Sequence, residues 1–176
     1  MKRIFIVLLA LIIITGCSKN QTPESINYIE IESSKVDMSG YKEMNSVDHQ
    51  FRQISPDELF RVIKEDGSGA FYFGSTSCPS CQDMVHYINK AASDLDVTIY
   101  YLDAYSEIYP IDKEDQEELY NVLYPILEER EGKKTLLTPH FFVVINGEFT
   151  SSQVGRIVED DNKIIDKYKE MIEILK

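Results

Sequence analysis

Two of the three cysteines stand three positions apart, in Cys78-Pro79-Ser80-Cys81, and the apolar stretch Ala70-Phe71-Tyr72-Phe73-Gly74 runs just ahead of them. A short continuous apolar run of this kind is the pattern of a strand buried on both faces. Behind the pair, Met84, Val85, Ile88 and Ala92 recur at helical spacing, so the sequence predicts strand, tight turn and helix, with Cys78 at the helix mouth. A disulfide between residues this close would close a very small loop, and the stabilisation a crosslink gives grows with the loop it closes. The pair therefore reads as a redox couple and not as a structural staple. A thiolate is the nucleophile of disulfide exchange, and the free N–H groups of a helix N-terminus favour negative charge there. Pro79 has no N–H, which leaves Ser80 and Cys81 as the donors.

The rest of the chain fits one domain with appendages. Ser55-Pro56-Asp57-Glu58 is a capping box with proline at the first helical position, and it predicts a helix from Pro56 to about Glu65. Val97 to Leu102 reads as a strand. Phe141 to Ile145 and Glu148 to Val154 read as a hairpin turning through Asn146-Gly147. A last helix is expected over about Asp161 to Leu175. Between strand and hairpin lies an acidic insertion, residues 105–134, whose apolar stripe Leu119, Val122, Leu123, Ile126 and Leu127 predicts a helix broken near Pro125. Residues 17–46 are polar and read as a tether with one short strand at Tyr28 to Glu32; the domain is expected over residues 47–176.

At the N-terminus, Met1-Lys2-Arg3 precedes an apolar run from Ile4 to Ile14, too short to span a bilayer comfortably and typical of a targeting segment. Ile14-Thr15-Gly16-Cys17 resembles the bacterial lipobox. The resemblance implies a signal peptide over residues 1–16, a lipid on Cys17, and a chain anchored on the extracytoplasmic face of a bacterial membrane. Loss of residues 1–16 removes Lys2 and Arg3 and no acid, taking the formal charge from −12 to −14. So acidic a body argues against nucleic acid as a partner.

The element order, together with Cys78-Pro79-Ser80-Cys81 after the central strand, Thr138-Pro139 before the hairpin, and Asn146-Gly147 and Val154-Gly155 beyond it, resembles the thioredoxin superfamily over about residues 47–176. That resemblance implies an α/β fold with a central mixed sheet flanked by helices. It also implies a thiol-disulfide oxidoreductase in which Cys78 attacks, Cys81 resolves, and Thr138 and a cis Pro139 present backbone to protein thiol or disulfide substrates. The redox group would be the Cys78–Cys81 disulfide itself, with no other cofactor, and a separate redox partner would recharge it. Two family features are missing: Ser77 stands where thioredoxins carry Trp, and Tyr72 where they carry a buried Asp. The usual proton acceptor for the resolving thiol is then absent. The Pro-Ser dipeptide and the acidic insertion are similar to lipoprotein and bacteriocin-accessory members of the superfamily.

Two other readings use the same residues differently. Cys78, Cys81 and His140 would make a soft Cu(I)-type site. Alternatively the fold is only a scaffold for an accessory or binding lipoprotein, with a contact face formed by Tyr100, Tyr101, Tyr105, Tyr109, Tyr120 and Tyr124.

Overall fold

A computed structural model describes residues 25–44, 48–108 and 112–176. The expected signal peptide, Cys17, the first part of the expected tether and Tyr109 lie outside the described residues. Strand β1 (Ser34–Lys35) is followed by a 3-10 turn (Lys42–Met44), β2 (Phe51–Gln53), α1 (Pro56–Lys64), β3 (Gly69–Gly74), α2 (Pro79–Leu95) and β4 (Ile99–Asp103). Then come α3 (Lys113–Leu123), a hairpin of β5 (Glu128–Arg130) and β6 (Lys133–Thr135), the hairpin β7 (His140–Ile145) and β8 (Glu148–Val154), and α4 (Asp161–Ile172).

Six strands form one mixed sheet in the order β1-β2-β4-β3-β7-β8. β3 lies at its centre, parallel to β4 and antiparallel to β7, and every one of its residues is buried. This is the α/β arrangement expected, a mixed sheet with helices on both faces. Because side chains alternate along a strand, β3 feeds two separate cores. Ala70 and Tyr72 join α2 and α4, through Cys81, Met84, Val85, Ile88, Ile164, Tyr168 and Ile172. Phe71 and Phe73 join α1 and α3, through Leu59, Phe60, Val62, Leu119 and Leu123.

Local chemistry explains where the elements begin and end. Ser55 Oγ accepts from the Glu58 N–H at 3.2 Å with Pro56 behind it, which starts α1 with the N-cap half of the predicted box, while the Glu58 carboxylate turns to the Glu32 N–H and Arg61. Asn146 and Gly147 both have positive φ, 51° and 77°, the backbone of a tight hairpin turn. A Cβ on Gly147 would stand 2.8 Å from the carbonyl oxygen of Ile63, so the turn needs glycine for space as well as conformation.

Two expectations need correction. There is no strand at Tyr28 to Glu32; the chain instead pairs at Ser34–Lys35 with β2. Nor is the tether unstructured up to residue 46: Val36, Met38, Tyr41 and Met44 are buried in the α2/α4 core. Further upstream, Asn27 is pinned by its N–H to Asn146 Oδ1 at 2.8 Å and by its side chain to the Asp66 carbonyl at 3.0 Å. The insertion's helix breaks near Pro125 as expected, and what was not read from the sequence is the hairpin behind it. α3 stops at Leu123, and Pro125 sits in a 3-10 turn (Tyr124–Ile126). The hairpin that follows turns through Glu131 and Gly132, both at positive φ. Among the described residues, no helix is long and apolar enough to cross a membrane.

Candidate active site

The site forms where β3 ends and α2 begins. Beyond Gly74 the chain turns on serine: the Ser77 N–H donates to Ser75 Oγ at 3.3 Å, and the Cys78 N–H to the Ser75 carbonyl at 3.1 Å. Cys78 then occupies the N-cap of α2 in an extended conformation, with Pro79 at the first helical position. Its sulfur does the work that Ser or Asp oxygen does at other N-caps, accepting the Cys81 N–H at 3.3 Å. A negative charge on Cys78 would be held by that donor and by the positive end of the helix dipole.

The two cysteines are close and unequal. Both are free thiols; Cys78 is half-buried and Cys81 has no exposed surface. Burial, reinforced by the hydrogen bond with Cys78, pushes the Cys81 thiol up to about 12. Pro79 is exposed and Ser80 half-exposed, so the motif's middle residues border solvent.

The turn before β7 closes the other side. The Thr138–Pro139 peptide is cis, and the Thr138 carbonyl accepts from Cys78 Sγ at 3.7 Å. Pro139 is buried, and its carbonyl accepts the Gly155 N–H at 2.8 Å, which ties this turn to the end of β8. The structure thus brings Cys78, Cys81, Thr138 and Pro139 to one place.

His140 is not part of it. Along β7, Phe141 and Val143 face the cysteine core, so His140 and Phe142 face the other way. Its ring packs edge-on against Phe73 and Phe142, and Nε2 lies 2.8 Å from Ser152 Oγ. Burial drives its pKa down to about 4. Expected beside the two cysteines in the copper reading, it is instead a fully buried residue of the opposite core, which removes it as a third ligand beside the two sulfurs. Among the described residues, no group of three or more His, Cys, Asp or Glu side chains gathers as a metal site. His86 on α2 is half-buried, with its ring centroid 3.8 Å from that of Tyr87. Of the tyrosines considered as a contact face, Tyr105 and Tyr124 are exposed, whereas Tyr101 is buried.

Sequence reasoning missed two things beside the sulfurs. One is a clasp. Gln82, in the first turn of α2, donates to the Gly40 and Thr76 carbonyls at 3.0 and 2.6 Å and accepts the Lys42 N–H at 2.9 Å. The segment before β2 is thereby fastened to the loop that carries Cys78. The other is a set of buried tyrosines, Tyr41, Tyr72, Tyr101 and Tyr168, in the core that contains Cys81. Val36, Met38, Tyr41 and Met44 keep neither helical nor strand period, so no local signal reveals the clasped segment.

No protein-family model matches this sequence, and no curated protein matches it. Solved structures that resemble it include a thioredoxin from Trypanosoma brucei brucei (15% identity, 74% of this chain and 97% of that chain, TM-score 0.48). Thioredoxin O2 from Arabidopsis thaliana, in its oxidised state, is 19% identical over 72% of this chain and 95% of its own, with a TM-score of 0.44. Thioredoxin f2 from Chlamydomonas reinhardtii is 16% identical over 70% and 94%, also at 0.44.

Proposed function

We propose that this chain is a thiol-disulfide oxidoreductase that exchanges disulfides with protein substrates, held by a lipid on Cys17 at the extracytoplasmic face of a bacterial membrane. One observation carries the chemistry: a half-exposed sulfur at a helix N-cap, accepting an N–H at 3.3 Å, with a second thiol fully buried behind it. Access and charge stabilisation belong to Cys78, and position to Cys81.

The Cys78 thiolate attacks one sulfur of a substrate disulfide; that S–S bond breaks, a Cys78–substrate bond forms, and the other substrate sulfur leaves as a thiolate. Cys81 then loses its proton and attacks Cys78 Sγ. The Cys78–Cys81 bond forms as the mixed disulfide breaks, and the second substrate thiolate departs. Two electrons have passed from the cysteine pair to the substrate. The same steps reversed oxidise a substrate dithiol, and the potential of the recharging partner sets the direction. Thr138 and the buried Pro139 form a shelf beside Cys78 where an extended substrate segment can add its backbone. No nucleic acid partner suits so acidic a chain.

Trapping tests the reading. Cys81→Ser removes the resolving thiol, so mixed disulfides on Cys78 should accumulate on protein substrates in the membrane fraction, and Cys78→Ser should abolish them. A Cys78→Ser, Cys81→Ser variant with full biological activity would favour the scaffold reading. The anchor is tested separately: Cys17→Ala should prevent lipid attachment and maturation of the chain, and an unmodified Cys17 in membrane-bound wild type would contradict it.

A further inference from the structure

The α2/α4 core holds hydroxyls that packing alone does not require. Tyr72 is fully buried and its hydroxyl has no hydrogen-bond partner, an arrangement that costs stability. Gly74 makes room for it, since a Cβ there would stand 2.8 Å from the Tyr72 hydroxyl. Burial first, and then its neighbours Tyr41 and Cys81, raise the Tyr72 pKa well above that of an ordinary phenol.

Tyr41 is bonded on its far side. Its hydroxyl lies 3.1 Å from that of Tyr101, and Tyr101 donates to Asp103 Oδ2 at 2.8 Å. A phenol has one proton to give. With Tyr101 committed to Asp103, the Tyr41 proton must point at Tyr101, and the Tyr41 oxygen becomes the accepting end of the chain, inside the core that holds Tyr72 and Cys81. Asp103 is half-buried, and its other oxygen takes the N–H groups of Tyr105 and Ser106 at 2.9 Å each, which fixes the carboxylate at the outer end.

We propose that Tyr41, Tyr101 and Asp103 form the proton-accepting chain for Cys81, with the Tyr72 hydroxyl, unbonded in the resting protein, closing the gap between thiol and chain only as Cys81 reacts. The proposal rests on the oxidoreductase reading and supplies what that reading lacks, an acceptor for the proton that Cys81 loses when it resolves the mixed disulfide. As Cys81 Sγ bonds to Cys78 Sγ and the substrate thiolate leaves, the Cys81 proton passes to Tyr72. The Tyr72 proton passes to Tyr41, that of Tyr41 to Tyr101, and that of Tyr101 to Asp103, which releases it to solvent. Each tyrosine gives one proton and takes one, so none ionises; the high pKa values that burial imposes on Tyr41, Tyr72 and Tyr101 are no obstacle. The titratable groups facing Cys81 are Cys78 on α2, Tyr41 on the clasped segment, Tyr72 on β3 and Tyr168 on α4. Of these three tyrosines, only Tyr168 stands outside the chain.

Single-turnover reaction of the reduced protein with an aromatic disulfide that releases a coloured thiolate separates the steps, because attack by Cys78 liberates the first equivalent and resolution by Cys81 the second. In Tyr72→Phe and Tyr101→Phe the second phase should slow on the order of a hundredfold near neutral pH and recover as pH rises, with the first phase unchanged. Asp103→Asn, at the partly exposed end, should slow it in the same sense without disturbing the core. Tyr168→Phe, which removes a neighbouring hydroxyl that is off the chain, should behave as wild type. A second phase within about twofold of wild type at every pH in Tyr101→Phe and Asp103→Asn would overturn the proposal. A wild-type protein showing no first phase would instead defeat the oxidoreductase reading. The chain would still be read by NMR titration of the Cys81 Cβ resonance, whose midpoint should move in Tyr101→Phe and Asp103→Asn, and an unmoved midpoint would reject it.

Discussion

One sheet carries two cores that differ in kind. Beneath α2 and α4, four tyrosines and the buried Cys81 share the interior. Beneath α1 and α3, Phe71 stacks on Phe142 with ring centroids 5.4 Å apart, Phe73 meets Phe142 edge-on at 5.1 Å, and His140 is the exception among hydrocarbon. Neighbouring residues of β3 supply both, Tyr72 to one and Phe71 and Phe73 to the other. Buried hydroxyls add nothing to apolar burial and demand partners, so a core optimised for stability alone would not gather them. They stand on the face that holds the reactive thiol. On the proposed function, stability and chemistry are divided across the thickness of the sheet, and each half should yield to perturbation without the other.

The largest break should come from the phenylalanine side. Phe142→Ala leaves a cavity in a fully buried aromatic stack and should cost about 3–5 kcal/mol in urea unfolding, while the remaining folded protein keeps its Cys78 reactivity. A loss of thiol reactivity in step with stability would show that the two faces are not separable.

The pH dependence sharpens the same contrast. His140 is neutral in the fold down to about pH 4, whereas in the unfolded chain it titrates near 6.5. The unfolded state thus binds the extra proton between those values, and stability falls as pH drops through the window, levelling below about pH 4. The contribution is about 3 kcal/mol at full extent. His140→Gln should flatten this part of the wild-type profile, read as the difference between the two stability curves from pH 7 to 4.

Smaller effects complete the series. Ser55→Ala removes the cap of α1 and should cost about 1 kcal/mol on the phenylalanine side. Tyr72→Phe should leave stability within about 1 kcal/mol of wild type, since the hydroxyl it removes has no partner. A large loss there would mean that the hydroxyl is structural and not held for the thiol.

Elements that follow from local chemistry were legible in the sequence: the N-cap of α1, the apolar run of β3, Cys78 at the mouth of α2, and the Asn146-Gly147 turn. What escaped lacks a local signature. Val36, Met38, Tyr41 and Met44 are single apolar residues among polar ones, with neither helical nor strand period, and only tertiary packing buries them. Strand β5 is exposed along its whole length and shows no alternation to read. His140 could be paired by parity with Phe142, but which core that parity faces is set by the sheet. The Tyr41–Tyr101–Asp103 chain joins residues 60 positions apart, beyond any spacing rule.

The most direct test of the division between the two cysteines is time-resolved alkylation of the folded, reduced protein with iodoacetamide, each site followed by peptide mass spectrometry. Cys78, half-exposed at the helix N-cap, should be labelled first and at a rate that denaturant below the unfolding transition leaves unchanged. Cys81, buried and with its thiol pushed up to about 12, should be labelled only as the α2/α4 core opens, its rate rising with denaturant. Equal labelling of both thiols in the native protein, insensitive to denaturant, would contradict the assignment of attack to Cys78 and resolution to Cys81.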